Sequence, residues 1–546
     1  MGVNVGISGG LNYGGKPPFF YGLSPLCFHD SAVAIIVDGK VKCALEEERL
    51  SRIKHTNSFP SKALQACMET VGITLDQVDT FSFFFEEKFY DIHMSFEFAN
   101  HGGRNWTNTR QLLANHITTT LHGTCDPSRI HFVRHHDAHC IASYYGSRFS
   151  EALVIVLDGN GENESTSIYQ AIDGECQLLR NHSIDNSLGV FYRQATILLG
   201  FGNFDEYKVM GLAPYGDPEP LWNVISKLYK PEKDGFFKLE SHLLPSVVWD
   251  VGIRPREKGG GLTSIHNNFA ASVQKLLERI MFDILIYWKQ KTNFRNLCIS
   301  GGVAHNCAMN GFIARKNMFD AIYVHPASHD AGSALGAALI TSKNKKFGCN
   351  HMQFSPIIGP KIETPKQIGE ILDFWEKVIK FKKVQSVHEL AAHYISEGAI
   401  IGWVQGASEF GPRALGNRSI LADPRPANNR ERINCAIKKR EGFRPFAPAV
   451  LAEKVDQYFK IPKTSVNLND MVCIVEVKPK YKTYLGAVVH IDGTVRIQSV
   501  DRHRNPDFWK LIYSFNEITK CGVLLNTSFN NNFEPIVHSA RTAGAK

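Results

Sequence analysis

The 546-residue chain carries only 12 cysteines and no CxxC pair, which excludes a disulfide-stapled scaffold and argues against paired-cysteine zinc modules. Reduced, mostly buried thiols are expected, including Cys140 and Cys307, which sit inside motifs but lack an evident basic activator. No apolar run nears the ~18 residues that cross a bilayer. The longest, such as Ala152 to Leu157, are strand-sized. The start, MGVNVGISGG, has neither the basic region nor the apolar stretch of a secretory signal. A cytoplasmic protein without membrane contact is expected. Charge of one sign is also scarce, since 61 Lys and Arg against 53 Asp and Glu leave +8. That is too mild for a general nucleic-acid surface, so nucleic acid is not an expected partner. No internal sequence repeat and no low-complexity tract is evident.

What is present is an ordinary globular composition, 43% hydrophobic, in a chain long enough for roughly two to four domains. Strand-like and helix-like patterns alternate, which predicts an α/β fold. Val33 to Val37, Asp38-Gly39 and Lys40 to Leu45 read as a hairpin with its turn. Phe269, Val273, Leu276, Leu277, Ile280 and Met281 recur at the spacing of an amphipathic helix between about His266 and Lys289. Asn296 to Ser300 reads as a strand running into Gly301-Gly302, with a helix starting near Asn306. Periodicity lapses after Ser342. The expected organisation is a first domain over 1–345, a linker over 346–366 and a second domain over 367–546. In the latter, a helix is expected from Gln367 to Lys377, and strands around Val472 to Val477, Ala487 to His490 and Gly522 to Leu525.

The sharpest local signal is Arg134-His135-His136-Asp137-Ala138-His139. On a helix, His135 and His139 at i and i+4 share one face and reach one metal ion. Alone, such a pair reads more readily as two core or surface histidines. Context changes that reading, because apolar strands deliver Asp158 in LDGNGE and Asp330 in SHDAGSALGAA. Two His and two Asp suit Fe(II), Mn(II) or Zn(II) rather than Ca(II). Asp158-Gly159-Asn160-Gly161 and Ser300-Gly301-Gly302-Val303 each follow a strand, where backbone N–H groups approach phosphate oxygens. Each alone is equally a tight strand-to-helix connection. Together with Lys208 and Gly211 in EYKVMGLAPYG and with Asn306, they favour a bound nucleotide.

In the second half, nine basic residues stand against three acidic ones between Arg413 and Arg444. The arginines alternate with Gly, Pro and Phe instead of lining a polar helix, which suits a pocket for a small polyanion.

The motifs HDSAVAIIVDGK, EEERLSRIKHTNSFP, HHDAH, LDGNGE, YKVMGLAPYG, SGGVAHNCAMNG, FGPRALGNRSILADPR, REGFRPFAPAVL and LLNTSFN occur in that order over nearly the whole chain. In this the sequence resembles the ATP-dependent O-carbamoyltransferases, typified by the tobramycin, cephamycin and nodulation-factor carbamoylating enzymes. The resemblance implies an N-terminal domain of the ASKHA type, like threonylcarbamoyl-transferase subunits, and a C-terminal YrdC-like domain. The YrdC-like domain of such relatives makes carbamoyl-adenylate from carbamoyl phosphate and ATP with Mg(II), and the N-terminal domain gives the carbamoyl group to a hydroxylated small molecule or glycan. It implies His135, His139, Asp158 and Asp330 as ligands of a metal, usually iron, and His29 beside the acceptor, although His29 also reads as a buried structural histidine. Arg413, Lys438, Arg444, Arg496 and Ser528 match the adenylation site. Threonylcarbamoyl modification of tRNA and a non-catalytic nucleotide and metal scaffold are the alternatives, and a homodimer is among the assemblies to expect. Two departures stand out. GISGGLNYGGKPPFFYGLSPLC is inserted beside His29, and Phe533 occupies a place where the family usually shows glycine. The chain also stops at Lys546 where relatives continue for some tens of residues, which bears on adenylation competence.

Overall fold

In the computed structural model, which describes residues 2–11, 28–101, 107–254, 256–257, 259–342 and 354–544, the Asp38-Gly39 turn joins two apolar runs into the expected hairpin. After β1 (Val3–Ser8) come β2 (Ala32–Val37) and β3 (Lys40–Glu46), paired antiparallel. β1 lies antiparallel to β2 and parallel to β4 (Thr80–Phe83), which is parallel to β5 (Ile130–Phe132). The order is β3-β2-β1-β4-β5.

A second sheet contains β6 (Glu151–Leu157), β7 (Glu164–Ile172), β8 (Glu175–Ser183), β9 (Asn296–Ser300) and β10 (Ala321–Val324). Its order is β8-β7-β6-β9-β10, with Ser465–Val466 added beside β10. β6, β7 and β8 are antiparallel, while β6, β9 and β10 are parallel. Counted from the first strand of each, the two sheets therefore share one order and one set of directions. The repeat exists in topology and not in sequence, because VNVGIS and EALVIVL have only apolar character in common. Ala152 through Leu157 are completely buried, as parallel strands covered on both faces require.

Helices α1 (His135–Ser147), α2 (Glu206–Leu212), α3 (Ser264–Thr292), α4 (Cys307–Arg315) and α5 (Asp330–Thr341) accompany these strands. α3 starts at a Thr263–His266 capping box, ends at Asn293 in a left-handed conformation, and buries the face given by its periodicity. α1 follows the fifth strand of the first sheet and α5 the fifth strand of the second. Small residues on α5 let these two helices touch: a Cβ on Gly336 would lie 1.8 Å from the carbonyl oxygen of Ala138.

The described chain divides into two compact units, one of residues 1–47, 55–354 and 462–467, the other of 48–54, 355–461 and 468–546. Each is α/β. The second contains β11 (Ile401–Val404), β12 (Arg418–Ala422), β13 (Ala447–Leu451), β14 (Gln498–Val500) and β15 (Val523–Ser528) in the order β11-β12-β15-β13-β14. Only β13 and β14 run parallel. Leu421, Val450, Leu511, Ile512 and Leu524 belong to its core.

Three sequence expectations differ from this structure. Division into two successive blocks misses the exchanged segments, 48–54 and 462–467. The linker expected over 346–366 contains a strand, Ile357–Lys361, paired with Ala407–Glu409, and a helix, Pro365–Phe374, begins behind the Thr364 cap. Residues 346–353 lie outside the described residues, as do 12–27 of the insertion beside His29. Ala487 to His490 is not a strand: Val488 and Val489 both donate to the Leu485 carbonyl, so an apolar run enters the core as turns.

Candidate metal centre and its surroundings

The N-cap residue Arg134 offers α1 no side-chain acceptor, but Glu162 Oε1 accepts the N–H of His135 at 2.9 Å and starts the helix. One turn separates His135 from His139, and both imidazoles are completely buried. β6 ends at Leu157 and delivers Asp158, and Asp330 is the first residue of α5. One ligand atom from each of the four lies within 4.8 Å of all the others. His135 Nε2 stands 3.1 Å from His139 Nε2, 3.2 Å from Asp158 Oδ2 and 3.7 Å from Asp330 Oδ1. Asp158 Oδ1 accepts the N–H of Gly302 at 2.9 Å. Gly301 makes this approach feasible, with φ +87° and a position where a Cβ would meet the Leu157 carbonyl oxygen at 2.2 Å.

Electrostatics explain why such a cluster calls for a cation. Burial pulls the His135 imidazole down, but its hydrogen bond to Asp158 and the charges of Asp330 and Asp158 outweigh this and push it up to about 9. Burial also works against the Asp158 carboxylate, yet His135 holds it well below the usual range. His139 is lowered by burial and by His135, and burial raises Asp330. Two nitrogens and two carboxylate oxygens thus converge in a buried space where one proton, on His135, does the work of a cation. A divalent transition metal fits that donor set.

His29 lies close to this cluster. Its Nδ1 is 2.7 Å from Asp30 Oδ2, while Asp30 Oδ1 is 2.8 Å from His55 Nδ1. Burial lowers His29, but Asp330, Asp30 and Asp158 together push it up to about 10. His329 Nε2 contacts Glu46 Oε1 at 3.0 Å, and its Nδ1 contacts His305 Nε2 at 3.1 Å. Phe85 stacks on His135 with ring centroids 4.6 Å apart.

The residues read as a nucleotide cradle fall into two groups. Gly159, Gly301 and Gly302 adjoin Asp158, and the Gly302 N–H is spent on that carboxylate. Lys208 and Gly211 lie on α2, where Lys208 Nζ pairs with Asp205 at 2.9 Å. Asn306 caps α4 through the N–H of Met309 and donates to Gln274. Met210 and Cys307, 3.8 Å apart at sulfur, bring α2 and the start of α4 together.

In the second unit, Lys438 closes a π-helical turn and is buried. Its Nζ donates to the Ser528 carbonyl, to Ser528 Oγ at 3.1 Å, and to the carbonyl and Oδ1 of Asn530, each at 2.9 Å. Burial, with Arg440, Arg444 and Lys54 nearby, pulls this ammonium well below the usual lysine range. Arg444 donates to Asn532 Oδ1 at 2.8 Å, and Lys54 to the Asn532 carbonyl at 2.8 Å. Arg413 and Arg496 are half-buried. The other cations of the basic stretch scatter. Arg418 is fully buried and donates to the carbonyls of Gln405, Asn417 and His538. Arg425 pairs with Asp423, and Arg430 donates to the Gly486 carbonyl. Arg418, Arg425 and Arg430 are thus engaged by the protein's own oxygens, while Arg440 and Arg444 stand close enough to Lys438 to act on its charge.

Sequence reading missed Asp30, His55, Glu162, His305 and His329. Asp30 and His55 stood inside quoted motifs, but nothing in their spacing announces that one carboxylate joins two imidazoles.

Fold and site together define an α/β protein with a buried two-histidine, two-carboxylate cluster at the ends of its strands. Residues 20–339 match the Carbamoyltransferase N-terminus family model and residues 392–545 the Carbamoyltransferase C-terminus model. The chain belongs to the carbamoyltransferase family, and is an enzyme with a carbamoyl donor and an acceptor as substrates. It is 40% identical over 542 residues to Nodulation protein NolNO of Sinorhizobium fredii, covering 99% of this chain and 79% of that one. Nodulation protein NolO of Bradyrhizobium diazoefficiens is 41% identical over 413 residues, 75% of each chain. The 3'-hydroxymethylcephem-O-carbamoyltransferase of Amycolatopsis lactamdurans is 30% identical over 340 residues, covering 61% of this chain and 60% of that one. No helix among the described residues is long and apolar enough to cross a membrane.

Proposed function

We propose that the protein is an ATP-dependent O-carbamoyltransferase whose acceptor is a hydroxyl of a small molecule or glycan. The second unit, read as YrdC-like, forms carbamoyl-adenylate from carbamoyl phosphate and ATP with Mg(II), releasing phosphate and pyrophosphate. Arg413, Arg444 and Arg496 offset phosphate charge there, while Lys438 fixes the Ser528 to Asn530 loop through its four oxygen contacts. The first unit, read as ASKHA-type from its doubled strand order, carries out transfer. His135, His139, Asp158 and Asp330 hold the metal, Fe(II) by resemblance, and when bound it supplies a Lewis acid for the carbonyl or the phosphate. The acceptor oxygen attacks the carbamoyl carbon, the bond to the adenylate oxygen breaks, AMP leaves, and His29 takes the hydroxyl proton. In the metal-free site His29 is pushed up to about 10, chiefly against burial by Asp330, Asp30 and Asp158. Asp158 and Asp330, two of those three carboxylates, would hold the ion, which would offset their pull on the His29 proton.

The observation that carries this reading is the convergence of the four buried donors in a chain that matches both family models. Its test is exchange of labelled pyrophosphate into ATP that depends on carbamoyl phosphate, together with a metabolite that gains HNCO only when the protein is present. Absence of exchange in metal-loaded intact protein overturns it. Bicarbonate and threonine supporting exchange in place of carbamoyl phosphate would move the activity to threonylcarbamoyl chemistry.

A further inference from the structure

We infer that Asp30 and His55 are positioning residues for transfer, acting through His29 as a His55–Asp30–His29 relay. The inference rests on the proposed role of His29. Both oxygens of the Asp30 carboxylate are committed, Oδ2 to His29 Nδ1 at 2.7 Å and Oδ1 to His55 Nδ1 at 2.8 Å. Asp30 itself is 7% exposed, whereas the side chains of His29 and His55 are 23% and 37% exposed. The carboxylate is thus hidden behind two imidazoles whose outer edges reach solvent.

Backbone conformation around this group is unusual. Phe28, Asp30, His55 and Phe204 have φ of +58°, +56°, +50° and +65°. Asp and His tolerate this region, but it is a genuine outlier for a bulky residue such as Phe. Phe204 stacks on His55 with centroids 4.4 Å apart and interplanar angle 18°, and meets His29 edge-on at 4.7 Å. Ser31 ties the segment down, its hydroxyl donating to the carbonyls of Thr56 and Ser58. Two phenylalanines held against their preference beside one carboxylate mark a geometry fixed by its surroundings, as is typical where function requires it.

The chemistry follows from tautomer control. With Asp30 accepting from Nδ1, His29 keeps its proton there and presents the Nε2 lone pair. The acceptor hydroxyl gives its proton to that Nε2 as its oxygen bonds to the carbamoyl carbon and AMP departs. Asp30 steadies the resulting imidazolium. His55, donating to the other oxygen, keeps the carboxylate ionised and aimed.

Two measurements test this. With the acceptor found through the HNCO gain, Asp30→Asn should lower kcat about 100-fold and leave acceptor KM within about twofold. His55→Asn keeps an N–H donor near Nδ1 and suits the left-handed backbone, so it should retain kcat, whereas His55→Ala should not. Independently of any acceptor, ¹⁵N spectra of the imidazoles should show both rings protonated at Nδ1 in the metal-loaded protein, and lose that pinning in Asp30→Asn. Wild-type kcat in Asp30→Asn, an effect confined to KM, or unchanged ring signals would each overturn the relay. Pyrophosphate exchange separates the two readings: no exchange in the wild type sinks the proposed function, while intact exchange with unaffected transfer in Asp30→Asn sinks the relay alone.

Discussion

His135 shows how a single side chain can tie stability to loading. Its pKa rises from an unfolded value near 6.5 to about 9, against the pull of burial, because of the Asp158 hydrogen bond and the Asp330 charge. In the metal-free protein this is worth about 3 kcal/mol. The sign is that of a raised histidine: the contribution is complete below about 6.5 and lost as pH climbs through about 9. Asp158 gives the mirror image, present above 3.8 and lost on acidification. The melting temperature of metal-stripped protein should therefore fall as pH is raised through about 9, and that of loaded protein should change less. Loading at neutral pH should release a proton, read by calorimetry as a binding enthalpy that depends on the buffer. A buffer-independent enthalpy would contradict this.

The four candidate ligands stood out because two share a helical period, Asp158 closes an apolar strand and Asp330 follows another, all local patterns. Asp30 and His55 were not, since 25 positions separate residues that meet only after β2, β3 and the segment beyond have folded. The basic stretch misled for a related reason. Sequence counts charges, but only the fold shows that Arg418 serves carbonyl oxygens and Arg425 serves Asp423.

At the scale of elements, the contact between α1 and α5 decides the site. α1 offers His135 and, one turn on, His139, and α5 offers Asp330 as its first residue, so the helix spacing bears on the ligand separation. Gly336→Ala would place a methyl carbon 1.8 Å from the Ala138 carbonyl oxygen. This overpacking should cost about 1–3 kcal/mol, measured by chemical denaturation, and weaken divalent-metal affinity in titration. Unchanged affinity would separate the helix contact from the site. The β2–β3 hairpin, the long α3 and the start of α4 were readable from periodicity and turn chemistry. Ala487 to His490 was not, because a short apolar run buried in turns has the same composition as a strand. The strand over Ile357–Lys361 was hidden by its Gly and Pro, which an edge position tolerates.

Across the whole molecule, the chain passes from one unit to the other five times, and short segments of each serve the other's fold. Arg49, Arg52 and Lys54, early in sequence, donate to carbonyls of Gly411, Ile536 and Asn532 in the second unit. Such exchange leaves no mark in composition or periodicity, which is why it was not visible in the sequence. On the proposed function the two units would hold separate chemistries. Lys438→Ala should abolish carbamoyl-phosphate-dependent pyrophosphate exchange while metal binding by the first unit, followed by calorimetry, stays intact. Loss of both would mean that the variant unfolds the chain. The doubled strand order gives this division of labour a deeper level. Two copies bound symmetrically must present identical ends to their shared axis, but two copies joined in one chain are free to differ. Here one half supplies two imidazoles and the other two carboxylates, so the joined halves have an asymmetry that identical partners cannot acquire.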